Sequence, residues 1–198
     1  TFGLAPAAHR YYFEYREDEQ KLNALMFSSQ AILYLFLIVS ASVMFFIKDY
    51  ISELTMGGNR YGFAVFVAFI SAYLGQIINF YLLLYQNMER AVIHSSFTVT
   101  QALVTTIVSL LLVWHFKMSY MGMIYGSLAG SAIVCLAIFI HFNKSLKIIF
   151  KARILFENIK YGLQIIPKSF TSFINRFFDK YMLNNMLSLS AVGVYNIG

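Results

Sequence analysis

The sequence predicts an all-α integral membrane protein, a multi-pass bundle of helices. Three observations carry this prediction. Apolar residues make up 59% of the 198 residues and charged residues only 12%, against about 25% charged residues in an ordinary soluble domain. The mean hydropathy is +0.65. Uncharged apolar runs recur along the chain, and each has roughly the 20 residues that a helix needs to cross a bilayer.

The predicted spans follow one another through short polar connections. They cover residues 26–47, 61–85, 92–114 and 121–142. Lys48 and Asp49 mark the return to water after the first span. The connection at 86–90 is so short that the second and third spans must be antiparallel neighbours. Residues 1–15 are expected to be the end of an earlier helix that leaves the membrane near His9 and Arg10.

Polar and small residues within the spans are expected to serve helix packing. Gly122, Gly126 and Gly130 recur every four residues, which is the spacing that lets two helices approach closely. Gln76 and Asn79 are expected to hydrogen-bond neighbouring helices. The third span is rich in Ser and Thr, but their hydroxyls can bond back to helix carbonyls, so this richness alone does not predict a site.

Charge placement predicts the orientation of the chain. Residues 143–160 carry five Lys and Arg residues against one Glu, and form a predicted basic amphipathic linker on the cytoplasmic membrane surface. Together with the connections at 9–25 and 86–91 this side holds nine Lys and Arg residues, and the opposite side holds three. The positive-inside rule therefore places the first set in the cytoplasm. The net charge of +6 does not indicate nucleic-acid binding, because the basic residues flank apolar spans.

Residues 161–184 are long enough to cross the bilayer, yet they contain ionisable side chains. On a helix, one face would hold Lys168, Ser172, Asn175, Arg176 and Asp179. An ionisable group at membrane depth costs about 2.5–3.5 kcal/mol on insertion scales, so such groups usually face a solvated cavity. This helix is therefore predicted to line a transport pathway. The alternative is that Lys168 reaches one interface while Asp179 and Lys180 lie at the other.

Two further residues bear on this pathway. Arg10 follows small residues that would let another helix approach, so it is a candidate for the mouth of a cavity, the alternative being an interfacial anchor. Pro167 cannot donate a backbone hydrogen bond, so the helix is predicted to bend there. No cofactor or metal is expected. The acidic run near Glu17 is interpreted as a solvated turn, and Cys135, the single cysteine, is assigned no role.

Several segments together resemble a known family. These are LAPAAHRYYFEYREDEQ, ISELTMGGNRYG, the turn YQNMER, the basic loop leading to IKYGLQIIPKSFTSFINRFFDKYML, and VGVYNIG. Their order and spacing resemble the polysaccharide-transport branch of the multidrug/oligosaccharidyl-lipid/polysaccharide flippase superfamily. The resemblance covers essentially all 198 residues, and its most specific part is residues 160–198.

The resemblance implies two bundles of six helices around a cavity that opens to each side in turn. This chain is then expected to be a fragment. Residues 1–142 would hold the end of helix 2 and helices 3 to 6, residues 143–160 the linker, and residues 161–198 helix 7 and the beginning of helix 8. A start without Met, and an end within an apolar run, fit the same expectation.

The resemblance also implies a function without enzymatic activity. Such flippases move undecaprenyl-pyrophosphate-linked oligosaccharide across the bacterial inner membrane, for O antigen of lipopolysaccharide, capsule or exopolysaccharide. The implied partners are this substrate, membrane lipids, and polysaccharide polymerase or ligase components. Arg176 is the first candidate for the pyrophosphate, because a guanidinium can hold two phosphate oxygens. Lys168 and Lys180 would add positive charge, Asp179 would orient Arg176, and Arg10 would contribute from the first bundle.

Two other functions remain open at this stage. A multidrug or metabolite cation antiporter of the same superfamily would be expected to carry acidic residues in its cavity, where only Asp179 is available beside three cations. A membrane enzyme of polysaccharide assembly, such as a ligase or polymerase, would be expected to carry an extended outer loop, whereas the outer connections here are short.

Overall fold

Every element that the structure describes is helical. The computed structural model describes residues 3–56, 58–144, 149 and 151–186, and the side chains at 55, 56, 168, 169, 172, 173, 175–177 and 179–186 lie outside this description. The helices are α1 (Leu4–Glu14), α2 (Glu19–Met56), α3 (Gly62–Asn87), α4 (Ala91–Trp114), α5 (Ser119–Asn143) and α6 (Ala152–Met186), with a 3-10 turn at Asn59–Tyr61.

Helices α2 to α5 are each long and apolar enough to cross a membrane. This confirms the predicted all-α, multi-pass membrane fold. The bounds of α3, α4 and α5 differ from the predicted spans by at most two residues, because Gly, charged residues and short polar connections mark their ends.

Helix α2 is longer than predicted. It contains 38 residues, about 57 Å, whereas the apolar core of a bilayer is about 30 Å thick. Lys48 and Asp49 therefore mark where α2 leaves the apolar layer and not where the helix ends. At its other end Asp18 precedes the first turn, and the Lys21 backbone N–H donates to Asp18 Oδ1 at 3.1 Å. This capping bond lowers the pKa of the Asp18 carboxyl, and the Lys21 side chain adds to the effect.

Helix α5 occupies the centre of the bundle, between α3 and α4. Gly122, Gly126 and Gly130 form a glycine ridge that packs closely against α4. This agrees with the predicted role of these glycines in helix packing. A Cβ added at Gly126 would lie 2.7 Å from the Ser109 Cα, and one added at Gly130 would lie 3.0 Å from the Thr105 Cα. The two backbones can approach this closely only because the glycines have no side chains.

Aromatic side chains fill the core between α3 and α5 near the C-terminal ends of both helices. Tyr81 and Tyr85 are almost completely buried. The ring of Phe142 lies 5.1 Å from the Tyr81 ring and 5.7 Å from the Tyr85 ring, centroid to centroid. The Tyr85 hydroxyl and His141 Nδ1 are hydrogen-bonded at 2.7 Å. This packing holds these helix ends together.

Helix α6 joins two segments that the sequence analysis treated separately. It contains 35 residues and runs without interruption through position 160, where the predicted linker ends. Pro167 lies inside the helix, and the Thr171 hydroxyl donates to the Pro167 carbonyl at 3.0 Å. The bend at Pro167 stays a prediction. Of the predicted start of helix 8, residues 187–198 lie outside the described residues.

The described part of the linker packs partly on protein. Ile154, an apolar residue of the predicted linker, is buried against Ala24 and Leu25 of α2 and so does not lie on a membrane surface. Phe156 is exposed, and so remains available for a membrane surface. The apolar residues of this segment therefore divide between the bundle and the outside, because α6 turns one face towards α1 and α2.

Candidate functional site

The candidate site begins where α1 meets α6. The Arg10 guanidinium lies 4.5 Å from the centroid of the Tyr161 ring and the side chain is exposed. A cation placed over an aromatic face in this way is attracted by the ring electrons. Ala7 and Ala8, on the same helix as Arg10, are buried. Small residues of this kind on α1 let α6 approach it closely. Arg10 thus stands at the point where α6 enters its ionisable segment.

A second contact lies about one turn earlier on α6. The Tyr15 hydroxyl donates to Glu157 Oε2 at 3.1 Å, and Arg153 Nε donates to Glu157 Oε1 at 3.1 Å. Burial, together with the hydrogen bond to the Glu157 carboxylate, raises the pKa of Tyr15 to about 12. The phenol is therefore neutral and a donor throughout the physiological pH range.

A buried amide fixes α6 to α2. Asn158 is fully buried, and its Nδ2 donates to Ser29 Oγ at 2.6 Å. With Ile154 and Tyr161, Asn158 defines the docked face of α6, the face that contacts α1 and α2. Because these contacts lie on three successive turns, they set which way the first part of α6 faces.

Helical periodicity relates the docked face to the predicted site residues. A helix advances about 100° per residue, so position 176, about five turns beyond Asn158, returns to the same face. Position 168 lies about two turns beyond Tyr161. Around the helix axis, position 179 lies about 60° from position 176, and position 180 lies about 40° from it. The ionisable positions of α6 therefore continue its docked face.

The five predicted site residues divide into two groups. Arg10 contacts α6 through Tyr161. Four others lie on α6, with side chains outside the described part of the chain: Lys168, Arg176, Asp179 and Lys180. Their roles in binding stay predictions, as does the role of Arg10.

The residues that position this site were not predicted from the sequence. Tyr161 and Asn158 were assigned no role, although both contact the first part of the chain. An aromatic residue and an amide at the start of an apolar segment were the available signals. Their partners, Arg10 and Ser29, lie more than a hundred residues away in the chain, so no local pattern pairs them.

Comparisons with known proteins place the chain in a family. Neither the curated proteins nor the solved structures offer a match to it. A family model described as polysaccharide biosynthesis protein matches residues 1–198, which is the whole chain. This match agrees with the resemblance in the sequence, and the membrane-spanning helices suit a transporter-like protein. The chain is a membrane protein that belongs to the polysaccharide biosynthesis protein family.

Proposed function

We propose that the protein of which this chain is part flips undecaprenyl-pyrophosphate-linked oligosaccharide across the bacterial inner membrane, for O antigen, capsule or exopolysaccharide synthesis. The observation that carries this proposal is the continuity of the docked face of α6. The face that holds Asn158 against the first bundle continues into positions 168, 176, 179 and 180. Cationic residues would then face the space beside the first bundle, where a transported headgroup must pass.

The charge of this face suits a pyrophosphate. Lys168, Arg176 and Lys180 bring three positive charges against the single negative charge of Asp179. In a site that excludes water, an Arg fork can hold two phosphate oxygens, and Lys adds a point charge. Arg10 would add a fourth cation from the opposite side of the α1–α6 contact, since its guanidinium is exposed.

The two rival functions are less well supported. A transporter of organic cations needs acidic groups to attract its substrate, and Asp179 stands among three cations on its face of α6. A ligase or polymerase would need an extended outer segment to hold an acceptor, but α2 and α3 are joined through 57–61 and α4 and α5 through 115–118. These connections are too short to form such a segment.

The test uses the full-length protein in a flippase-deficient host. We expect Arg176→Ala to reduce surface polysaccharide by about tenfold or more, because one charged hydrogen-bonding group contributes about 1.5–3 kcal/mol. The lipid-linked intermediate should accumulate at the same time. Arg176→Lys should restore part of the export, since it keeps the charge but loses the fork.

Arg153→Ala is the matched control. It removes an Arg from the same helix, at an exposed position paired only with Glu157 among the described ion pairs. Export should stay at the wild-type level. Membrane abundance of each variant is measured in parallel. Export that survives Arg176→Ala at normal abundance would remove α6 from the binding site and, with it, the basis of this proposal.

A further inference from the structure

Helices α3 and α4 are neighbours in sequence but diverge in space. Each packs mainly against α5, and they contact each other far less. Their divergence leaves an open wedge, here named the α3–α4 groove. It contains a cavity of about 450 Å³ lined by Gln86, His94 and Ser95 among others, and a second of about 420 Å³ lined by Ser71, Gln101 and Ser127 among others.

The two cavities lie along one continuous path. Gln86, Asn79 and Gly75 recur at helical spacing on one face of α3, and Gly75 lines the second cavity. Asn79 therefore lies between the cavities. Its depth is about 13 Å from the end of α3, and Gln101 lies about 15 Å from the beginning of α4. The groove thus reaches from the cytoplasmic end of the helices to the middle of the membrane.

Amide side chains on the exposed side of α3 lack protein partners. Gln76 and Asn79 were expected to bond neighbouring helices, but both are exposed. Within the described residues, no protein group hydrogen-bonds either amide. The cause is the divergence of α4, which leaves this side of α3 without a neighbouring helix among the described residues. An amide without a partner in an apolar layer is costly, so these side chains need water or a polar ligand.

The hydroxyl groups are arranged differently. Ser71 and Ser127 hydrogen-bond each other at 2.7 Å, which joins α3 to α5. The Thr98 hydroxyl donates back to the His94 carbonyl at 2.9 Å. The hydroxyl groups of Ser71, Ser127 and Thr98 therefore form hydrogen bonds within the bundle. The amides of Gln86, Asn79 and Gln101, for which no hydrogen bond is found among the described residues, therefore remain to recognise a ligand.

The chemistry of the groove selects an uncharged ligand. Glu89 lines the cavity at the cytoplasmic mouth, but the lining of the deeper cavity carries no ionisable group among the described residues. An amide offers a donor and an acceptor side by side, which matches two neighbouring hydroxyl groups of a sugar ring. We infer that the α3–α4 groove binds the neutral oligosaccharide part of the substrate while the cations of α6 hold its pyrophosphate. This inference rests on the proposed function.

The first test asks whether water fills the groove. In full-length protein freed of other reactive cysteines, Asn79→Cys and Gln101→Cys are treated in membranes with a membrane-impermeant maleimide. Both should react. Leu110→Cys is the control, since Leu110 is exposed on α4 and should face lipid, where a thiolate does not form. Lack of reaction at both groove positions would show a groove closed by protein or lipid, and would overturn the inference.

The second test separates sugar from pyrophosphate. Purified full-length protein in nanodiscs is titrated with two probes. One is the lipid-linked oligosaccharide that accumulates in the flippase-deficient host, and the other is undecaprenyl pyrophosphate without sugar. We expect the double variant Asn79→Leu, Gln101→Leu to weaken binding of the first probe about tenfold, because two hydrogen bonds of modest strength are lost. Binding of the second probe should not change, which also shows that the variant is folded.

The outcomes distinguish the two proposals. Thr100→Val removes a polar group next to Gln101 but about 100° away around α4, and should leave both affinities unchanged. An equal loss for both probes in the double variant, or no loss for either, would overturn the groove as a sugar site while leaving the proposed flippase intact. Wild-type protein that binds neither probe would overturn the proposed function and this inference together.

Discussion

Asn158 connects α6 to α2 through a short hydrogen bond. Its side chain is fully buried, and Nδ2 donates to Ser29 Oγ at 2.6 Å. Removing one partner of a buried hydrogen bond leaves the other without a partner, which costs about 1–3 kcal/mol. Asn158 therefore carries a larger share of the α2–α6 contact than its small side chain suggests.

We expect Asn158→Ala to lower the unfolding temperature of the protein in detergent. The free energy of unfolding should fall by about 1–3 kcal/mol. Size-exclusion chromatography after heating measures the effect. Arg153→Ala, one turn earlier on the exposed side of α6, should leave the unfolding temperature unchanged, since a surface ion pair contributes little. Equal stability of the Asn158 variant and wild type would mean that α6 is held by its apolar contacts alone.

The sequence identifies charged residues better than it identifies their partners. Arg10 was selected because a cation after small residues is unusual near a membrane. Its contact with Tyr161 joins two positions that are 151 residues apart in number. Such pairs depend on how whole helices are arranged, so no spacing within one segment reveals them.

The contact between α4 and α5 depends on the glycine ridge. We expect Gly126→Ala to destabilise the protein by about 1–3 kcal/mol, because the new methyl group would overlap the backbone of Ser109. Gly75→Ala is the matched control within α3. No atom lies within 4 Å of a Cβ added there, so the higher helix propensity of Ala should leave stability equal or slightly raised.

Thermal unfolding of both glycine variants in the same detergent checks this prediction. A Gly126 variant as stable as the Gly75 variant would mean that α4 and α5 can move apart without cost. The ridge would then be a feature of composition without a role in packing.

Helix ends were predictable where a breaker coincides with the edge of the apolar layer. The bounds of α4 and α5 follow from the short connection at 115–118 and from polar residues on either side. Helix α2 continues well past Lys48 and Asp49, because a charged residue ends contact with lipid but does not break a helix. For the same reason, the basic segment after 151 continues into α6.

The whole molecule has a predicted orientation that can be measured. We expect Glu17→Cys, between α1 and α2, to lie in the cytoplasm and Asn59→Cys, between α2 and α3, to lie outside. Both positions are exposed, and neither change removes a Lys or Arg. When a membrane-impermeant thiol reagent is added to intact cells, only Asn59→Cys should be labelled. Glu17→Cys should react after the membrane is opened.

The reverse labelling pattern would show that the molecule has the opposite orientation in the membrane. It would contradict the assignment of the basic linker to the cytoplasm. The α3–α4 groove would then open to the outside. The bundle itself would be unaffected, because its packing does not depend on which side faces the cytoplasm.

At this largest scale, the fold class was predictable and the groove was not. Apolar runs of membrane length establish the number and nature of the spans. Whether Gln76 and Asn79 meet a neighbouring helix depends on how α3 and α4 are arranged around α5. An amide in an apolar run predicts a polar environment but does not identify what provides it.

The docking of α6 onto α1 and α2 has a consequence for the rotation of the helix about its own axis. Ile154, Asn158 and Tyr161 fix the rotation of α6 about its axis, so the direction in which each later position faces is also fixed. One inserted residue would rotate all later positions by about 100°. The number of residues in the segment 163–166 therefore fixes the angle around the helix between the docked residues and position 176. Its length matters more than its composition, and natural variation there should favour substitution over insertion or deletion.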